Sequence, residues 1–381
     1  MSQPTVRYWR RAELRRDEED GLHRPVGWLE LFFDLVFVVI IGILAEDLAH
    51  DPHHLPGFAL QFAAVFWVWN AFTYYTERFE TDGLENRLFT FLALVTVAGL
   101  AIWAPHGLED NYLGFAGSYL AARALNIALW LRAAVHERTF LPIALRFTSG
   151  YVIAAGLIAA SLATDHALRI ALFGVAVLVE IVTPVLTTRQ QSALPPLSRS
   201  KWPERFGLFT MIVLGEAVVG VIHGLADAEK HLASGVLGLA ICFAFWWLYF
   251  DFVARRPARQ AIATALGWVY LHLAALLAIT VAGAMVSIAL TGHDVPAELF
   301  VSVGAGLAAI GILEITLERE TDEPTHPVFS PGLKVALGIG LAAVALLPLH
   351  WSPTLALLTC LVALAVPATY GARVWYRRSA G

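Results

Sequence analysis

The sequence predicts an all-α integral membrane protein of about twelve transmembrane helices with both termini cytoplasmic. Composition, the spacing of apolar runs and the placement of basic residues carry that prediction. The 381 residues are 58% hydrophobic and 15% charged, with a mean hydropathy of +0.64. A soluble domain is nearer half apolar and a quarter charged. The net charge of −5 says little because the charges are unevenly placed. No basic tract is interleaved with aromatics, which argues against a nucleic-acid partner.

A helix needs about 20 apolar residues to cross a bilayer. Twelve segments qualify: 28–48, 57–76, 85–104, 112–132, 141–162, 167–187, 204–223, 232–252, 262–289, 297–317, 331–349 and 353–373. Turn-prone stretches such as "HDPHHLP", "APHGLEDN" and "TGHDVPAE" separate them. With the amino terminus inside, only Arg169 and Lys230 of the 26 Lys and Arg fall outside, and Arg123 lies within a span. The rest, from Arg7 and Arg24 in the tail onward, fall inside, as the positive-inside rule requires. No short apolar core with a cleavage site precedes the first span, so that span is the expected insertion signal into the cytoplasmic membrane. Cys242 and Cys360 lie in apolar runs and read as small buried hydrophobes.

The longest connection, "TTRQQSALPPLSRSKWPER" at 187–205, divides the chain. The expected organisation is a cytoplasmic tail (1–27), a six-helix half (28–187), a cytoplasmic linker (188–203), a second six-helix half (204–373) and a cytoplasmic tail (374–381). "GWLELFFDL" resembles "KWPERFGLF", "FWVW" resembles "FWWL", and "TVAG" recurs, at offsets of 174, 179 and 184 residues. Two parallel six-helix repeats would produce this, and so would chance matches between Trp- and Phe-rich helices.

Charged groups at membrane depth cost roughly 2.5–3.5 kcal/mol each and face the bundle interior. Arg123, Glu180, Glu216 and His272 are expected roughly 16–18 Å from a membrane edge, a common depth. That depth suggests a proton or substrate pathway with an Arg–carboxylate pair, Arg123 with Glu216 or Glu180, extended by Asn70 and Asn126. The bland alternative is structural glue between helices. A second, cytoplasmic-mouth layer holds Glu30, Asp34, Glu204, Arg205 and Asp251. Glu77, Glu314 and Glu318 nearby read as ion pairs anchoring helix ends. Asp34 is the anomaly, one turn deeper than Glu30 and walled by Phe33 and Phe37.

Of 13 His, nine fall on the predicted outer side, among them His106, His231 and His293. "AEDLAHDPHH" brings His50, His53 and His54 near Glu46, Asp47 and Asp51, weak candidates for a metal or a pH-sensitive lid. The duller account is that neutral His is tolerated where Lys and Arg are not, and the spacing fits no defined metal motif. No GxSxG, HExxH or Walker motif occurs, and no loop is long enough for a catalytic domain, so no cofactor is implied.

"WLELFFDLVFVV", "ERFGLFTMIVLGEAVVGV" and "FWWLYFDF" together resemble the hallmark segments of the bacterial low temperature requirement protein A family. The resemblance places family motif residues at Glu30, Asp34, Glu204, Arg205, Gly215, Glu216 and Asp251. It implies a polytopic membrane protein linked by name to growth in the cold and carries no settled activity. The leading expectation is a proton-coupled transporter of a small solute or ion, with its site between the halves. Glu216 and His272 would carry protons and Arg123 would be the counter-charge. A membrane enzyme acting on a lipid or polyprenyl head group and a sensor or assembly protein are the alternatives. The bilayer and the solute are the expected partners, and homo-oligomerisation stays open.

Overall fold

The computed structural model describes residues 9–16, 21, 25–79, 81, 83–227, 232–259, 261–291, 295–319 and 323–379. Arg7, Arg24, Lys230, His231 and His293 lie outside these described residues. Among them the chain is helical, with no strand beyond a single bridge between Ala258 and Leu317. The helices are α1 (Trp28–His50), α2 (Leu55–Phe79), α3 (Leu84–Trp103), α4 (Tyr112–His136), α5 (Leu141–Ser161), α6 (His166–Leu186) and the short α7 (Thr188–Gln191). They continue as α8 (Lys201–Asp227), α9 (Leu232–Tyr249), α10 (Ile262–Thr291), α11 (Glu298–Ile315), α12 (Phe329–Val344) and α13 (Pro353–Ser379).

Ten of these are long and apolar enough to cross a membrane. The two departures have separate causes. Helix α4 has the length, 25 residues, but its polar residues, Arg123 and Asn126 among them, dilute its apolar character. Helix α12 is only 16 residues long, about 24 Å against a hydrocarbon core of about 30 Å. It stops short of the predicted 349 because Leu347 precedes a proline and disfavours helical backbone.

Local chemistry sets several ends. Glu30 reaches back so that its Oε2 accepts the Gly27 N–H at 3.0 Å, closing the first turn of α1. Asp165 caps α6 through the Leu168 N–H at 3.1 Å. Near the end of α6 lies Pro184, whose carbonyl is taken by Thr187 Oγ1 at 2.9 Å and Gln191 Nε2 at 2.9 Å.

By internal packing the chain forms two compact units. The first comprises Met1–Leu44, Pro56–Trp202 and Gln260–Ala263, the second Ala45–Leu55, Pro203–Arg259 and Thr264–Gly381. In the first unit the tail residues 9–16 lie across helix ends. The Arg15 N–H donates to the Arg78 carbonyl at 2.9 Å, Arg132 to the Arg10 carbonyl at 2.5 Å, and Ala12 is buried. The predicted loop after α6 is likewise fastened, with Gln191, Ser198 and Lys201 buried.

In the second unit α8 and α10 run side by side in the same direction. The Phe206 ring lies 4.9 Å from the His272 ring, and further along Ala217 crowds Gly283. Helices α11 and α12 meet backbone to backbone, because a Cβ on Gly304 would strike the Gly338 carbonyl and one on Gly338 the Gly304 carbonyl. Gly304→Val should therefore lower stability by about 1–3 kcal/mol. Gly340→Ala, which meets open space, should change it by no more than about 0.5–1 kcal/mol. Thermal unfolding in detergent compares the two, and equal midpoints would refute the close approach.

Candidate functional site

The first unit holds a fully buried charged cluster built by α4, α5 and α6. Arg123 sits near the middle of α4, one turn below Tyr119 and one above Asn126, so the three share a face. Its Nη2 stands 2.5 Å from Glu180 Oε2 on α6, with both side chains at zero exposure. The Tyr119 hydroxyl donates to the same Oε2 at 2.6 Å and accepts from Arg123 Nη2 at 2.7 Å. Arg123 Nη1 donates to Asn126 Oδ1 at 3.2 Å. The guanidinium also lies over the rings of Tyr119, 4.6 Å away, and Tyr151 of α5, 5.3 Å away.

Such an arrangement holds an ionised pair in the membrane by surrounding it with hydroxyl, amide and ring faces. It is not saturated. Arg123 Nε, Asn126 Nδ2 and Glu180 Oε1 are buried without a hydrogen-bond partner, and each such atom costs roughly 1–3 kcal/mol when left unserved.

A second layer in the same unit involves Glu30 and Asp34. Glu30 Oε2 pairs with Lys201 Nζ at 2.8 Å, and Lys201 has no exposure. Asp34 is fully buried and its Oδ1 accepts the Trp69 indole N–H at 2.7 Å. Glu77 Oε1 accepts the Ser198 N–H at 2.8 Å, while Arg78 donates to the Pro195 carbonyl and lies over the Tyr74 ring. Tyr74 donates to Gln191 Oε1 at 3.0 Å. These bonds bind the connection before α8 to the end of α2.

The second unit separates two residues expected at one depth. His272 Nδ1 is 2.8 Å from the Trp268 carbonyl and its Nε2 is 2.9 Å from the Tyr249 hydroxyl. A carbonyl only accepts, so Nδ1 carries the proton and Nε2 accepts from Tyr249, a fully used neutral imidazole. The rings of Phe206, Trp268 and Tyr249 enclose it. The depth expectation fails because the two helices are staggered, with Phe206, five residues into α8, beside His272, ten residues into α10. Level with His272 is Phe206, whereas Ala217, beside Glu216, is level with Gly283. That is eleven residues along α10, about 16 Å. Glu216 is half-buried and makes no hydrogen bond or ion pair among the described residues.

Of the other expected residues, Arg205 is buried, whereas Glu204 and Gly215 are exposed. Asp251 lies in a π-helical turn, Phe250–Ala254, and its Oδ2 accepts the Trp247 indole N–H at 2.7 Å. His50 Nδ1 is 2.8 Å from the Glu46 carbonyl, and His54 lies 3.6 Å from Asp51. His53 is exposed, and its backbone N–H donates to Asp51 Oδ1 at 3.0 Å. Among the described residues no three His, Cys, Asp or Glu side chains are grouped to hold a metal ion.

Glu314, expected as an ion pair at a helix end, is the centre of a buried triad in the second unit whose partners sequence reasoning did not name. Glu314 Oε2 pairs with Lys334 Nζ at 2.8 Å and accepts the Ser330 hydroxyl at 3.0 Å, while Glu314 Oε1 stands 3.3 Å from Arg256 Nη2. Lys334 also rests over the Phe252 ring at 3.5 Å. Ser330 one turn before Lys334 in an apolar run was the available signal. Tyr119 was missed for want of charge, although its four-residue spacing from Arg123 was legible.

Long apolar helices whose charged residues pair inside the protein define a multi-span helical membrane protein. The chain belongs to the bacterial low temperature requirement A protein family, whose model matches residues 25–369. The uncharacterized protein RA0937 of Rhizobium meliloti (strain 1021) is 28% identical to it over 278 residues. That match spans 66% of this chain and 64% of the relative, less than two thirds of the relative's length. No solved structure matches the chain.

Removing one partner of the Arg123–Glu180 pair leaves an uncompensated buried charge. Arg123→Gln should cost about 3–5 kcal/mol of stability, and Glu180→Gln added to it should recover part of the loss. A double-mutant cycle by unfolding in detergent measures this, and strictly additive losses would show that the two side chains share no interaction.

Proposed function

We propose that the chain transports a small solute or ion across the cytoplasmic membrane, coupled to proton movement. The observation that supports this reading is the unsaturated cluster around Arg123 and Glu180. A pair retained only as glue gains most from complete hydrogen bonding, because partly satisfied buried networks are destabilising. Three polar atoms left unserved beside a guanidinium and a carboxylate suit a site where a proton or a small polar solute is exchanged. Glu180 is the proton-accepting group of the cluster, Arg123 its counter-charge or anion ligand, and Tyr119 the hydroxyl bridging them.

Glu216 is the second candidate carrier, a carboxylate well inside α8 without a bond of its own among the described residues. His272 packs rather than carries, since both its nitrogens are used. Glu30 and Asp34 in the first unit, and Glu204, Arg205 and Asp251 in the second, are each read as lying toward the cytoplasmic ends of their own helices. Purified protein in vesicles loaded with a pH-sensitive dye, challenged with a panel of amino acids, sugars, carboxylates and inorganic ions, should give solute-induced proton flux. Glu180→Gln and Glu216→Gln should each lower that flux at least tenfold while the protein stays folded. Undiminished flux in both variants would sink the assignment.

The same reading has twelve crossings, both termini inside, and the two halves as parallel repeats. The skewed placement of Lys and Arg supports it, and α12 would cross with local thinning of the bilayer or with flanking residues completing the span. Alkaline phosphatase, active only outside the cytoplasm, should be active when fused after His54, Asp110 or Asp165. It should be inactive after Arg138, Ser192, Arg255 or Gly381. Activity at Gly381 with the other results unchanged would mean that α12 does not cross.

A further inference from the structure

Residues 9–16 of the amino-terminal tail have no regular secondary structure, and eight residues reach at most about 26 Å when extended. Within the first unit they touch several helices at one end of the bundle. The Trp9 ring meets the Phe89 ring of α3 at 6.3 Å. Arg132 of α4 donates to the Arg10 carbonyl and lays its guanidinium over the rings of Phe89, 5.4 Å away, and Trp9, 6.0 Å away. The Arg15 N–H donates to the Arg78 carbonyl at the end of α2, 2.9 Å away. Leu14 and Arg16 line a cavity of about 270 Å³, together with Thr139 and Ile143 around the start of α5 and Gln190 and Leu194 in the connection after α6. One short segment thus ties α2, α3 and α4 and reaches α5.

The tie is shallow. Of the eight residues only Ala12 is buried, while Trp9, Arg10, Arg11, Glu13 and Arg16 are exposed. The cavity takes packing away from Leu14 and Arg16 as well. The connection before α8 is fastened differently, with Gln191, Ser198 and Lys201 all buried. A segment with few buried contacts opens at low free energy while the rest of the domain stays folded. What it covers leads to the charged cluster. Arg132 lies nine residues beyond Arg123, about 13 Å along α4, and its Nη1 is 3.5 Å from the Tyr75 hydroxyl. The Tyr75 ring packs on Trp130 at 5.8 Å, and Trp130 stacks on Phe147 at 5.1 Å. Phe147 meets Tyr151, whose ring faces the Arg123 guanidinium.

We propose that residues 9–16 are an autoinhibitory strap. Fastened by Arg132, the strap holds α2, α3 and α4 together and keeps the Arg123–Glu180 cluster closed from the predicted cytoplasmic side. Lifting begins at the exposed Trp9, frees Arg132 from the Arg10 carbonyl, and lets the rings around Trp130 part. The strap rests on the transport reading only for what passes once the route is open.

The test reads opening directly, by the labelling rate of a buried thiol with a water-soluble maleimide on the full chain in detergent. Thr73→Cys provides the thiol, because Thr73 is fully buried on α2 and its hydroxyl makes no hydrogen bond. Cys242 is replaced by Ala, and the buried Cys360 of the second unit serves as internal reference. Arg132→Gln, and separately Trp9→Ala with Ala12→Glu, should each speed labelling at position 73 about tenfold, the effect of losing one hydrogen bond to a charged group. Labelling of Cys360 should stay unchanged, and Arg11→Gln, at an exposed tail position, should leave both rates within about twofold. In vesicles the two strap variants should also raise solute-induced proton flux. Faster labelling at position 73 with no flux in any variant would support the strap and tell against the transport reading. Unchanged labelling in both strap variants would overturn the strap. So would equal acceleration at Cys360, which marks general loosening, or a flux that falls when the strap is released.

Discussion

A charge inside a bilayer has to be matched within the protein, and the described polar layers of this molecule follow from that requirement. Arg123 is the central case. No conformation of α4 near its middle lets a guanidinium reach water, so its partner must come from another helix. Glu180 supplies it from α6, with Tyr119 and Tyr151 closing the remaining faces. The pair fixes the rotation of α4 and α6 about their axes. A rotation of either helix by one residue, about 100°, would turn a charge toward lipid.

The layers nearer the ends of the helices solve the same problem by other means. Glu30 has a dual role, closing the first turn of α1 and neutralising Lys201. Asp34, one turn deeper, accepts the indole N–H of Trp69. An indole presents one donor at the edge of a large apolar plate, so it serves a carboxylate without introducing a second charge to be desolvated. Asp251 in the second unit also accepts an indole N–H, from Trp247. In its case donor and acceptor lie four residues apart on the same stretch of chain, where the helix widens to a π turn.

What the sequence made legible was whatever depends on local composition. The apolar runs located each long helix, because the bilayer length criterion acts on one segment at a time. Arg123 and Glu180 stood out because charge in an apolar run needs no partner to be conspicuous. Quantities that depend on where a helix begins, or on its neighbours, were hidden. The stagger of α8 against α10, with Phe206 beside His272 and Ala217 beside Gly283, separates Glu216 from the level of His272. The polar stretch before α8 reads as a free linker, yet its Ser198 and Gln191 complete hydrogen bonds of α2. Composition cannot distinguish a solvated polar loop from one that supplies partners to helix ends.

Both buried clusters keep open atoms, since Glu314 Oε1, Arg256 Nε and Arg256 Nη1 are buried without a hydrogen bond just as Arg123 Nε, Asn126 Nδ2 and Glu180 Oε1 are, and they differ in which group is locked. Around Glu314, Lys334 is held by a carboxylate, a hydroxyl, a backbone carbonyl and a ring face. The same turn of α12 is pressed against α11, where a Cβ on Gly311 would strike the Pro331 carbonyl and the Lys334 side chain. An ammonium so enclosed, on helices in backbone contact, has neither a free donor nor room to move. The Arg123 cluster is packed as well, with Gly150 of α5 against the Thr183 side chain of α6, but its own charged groups keep free hydrogen-bonding positions. Its open atoms belong to all three functional groups at once, a guanidinium nitrogen, an amide nitrogen and a carboxylate oxygen. A group that exchanges protons or solutes must form and break such bonds at low cost, which the enclosed Lys334 cannot do, and in the proposed transport reading that group is Glu180.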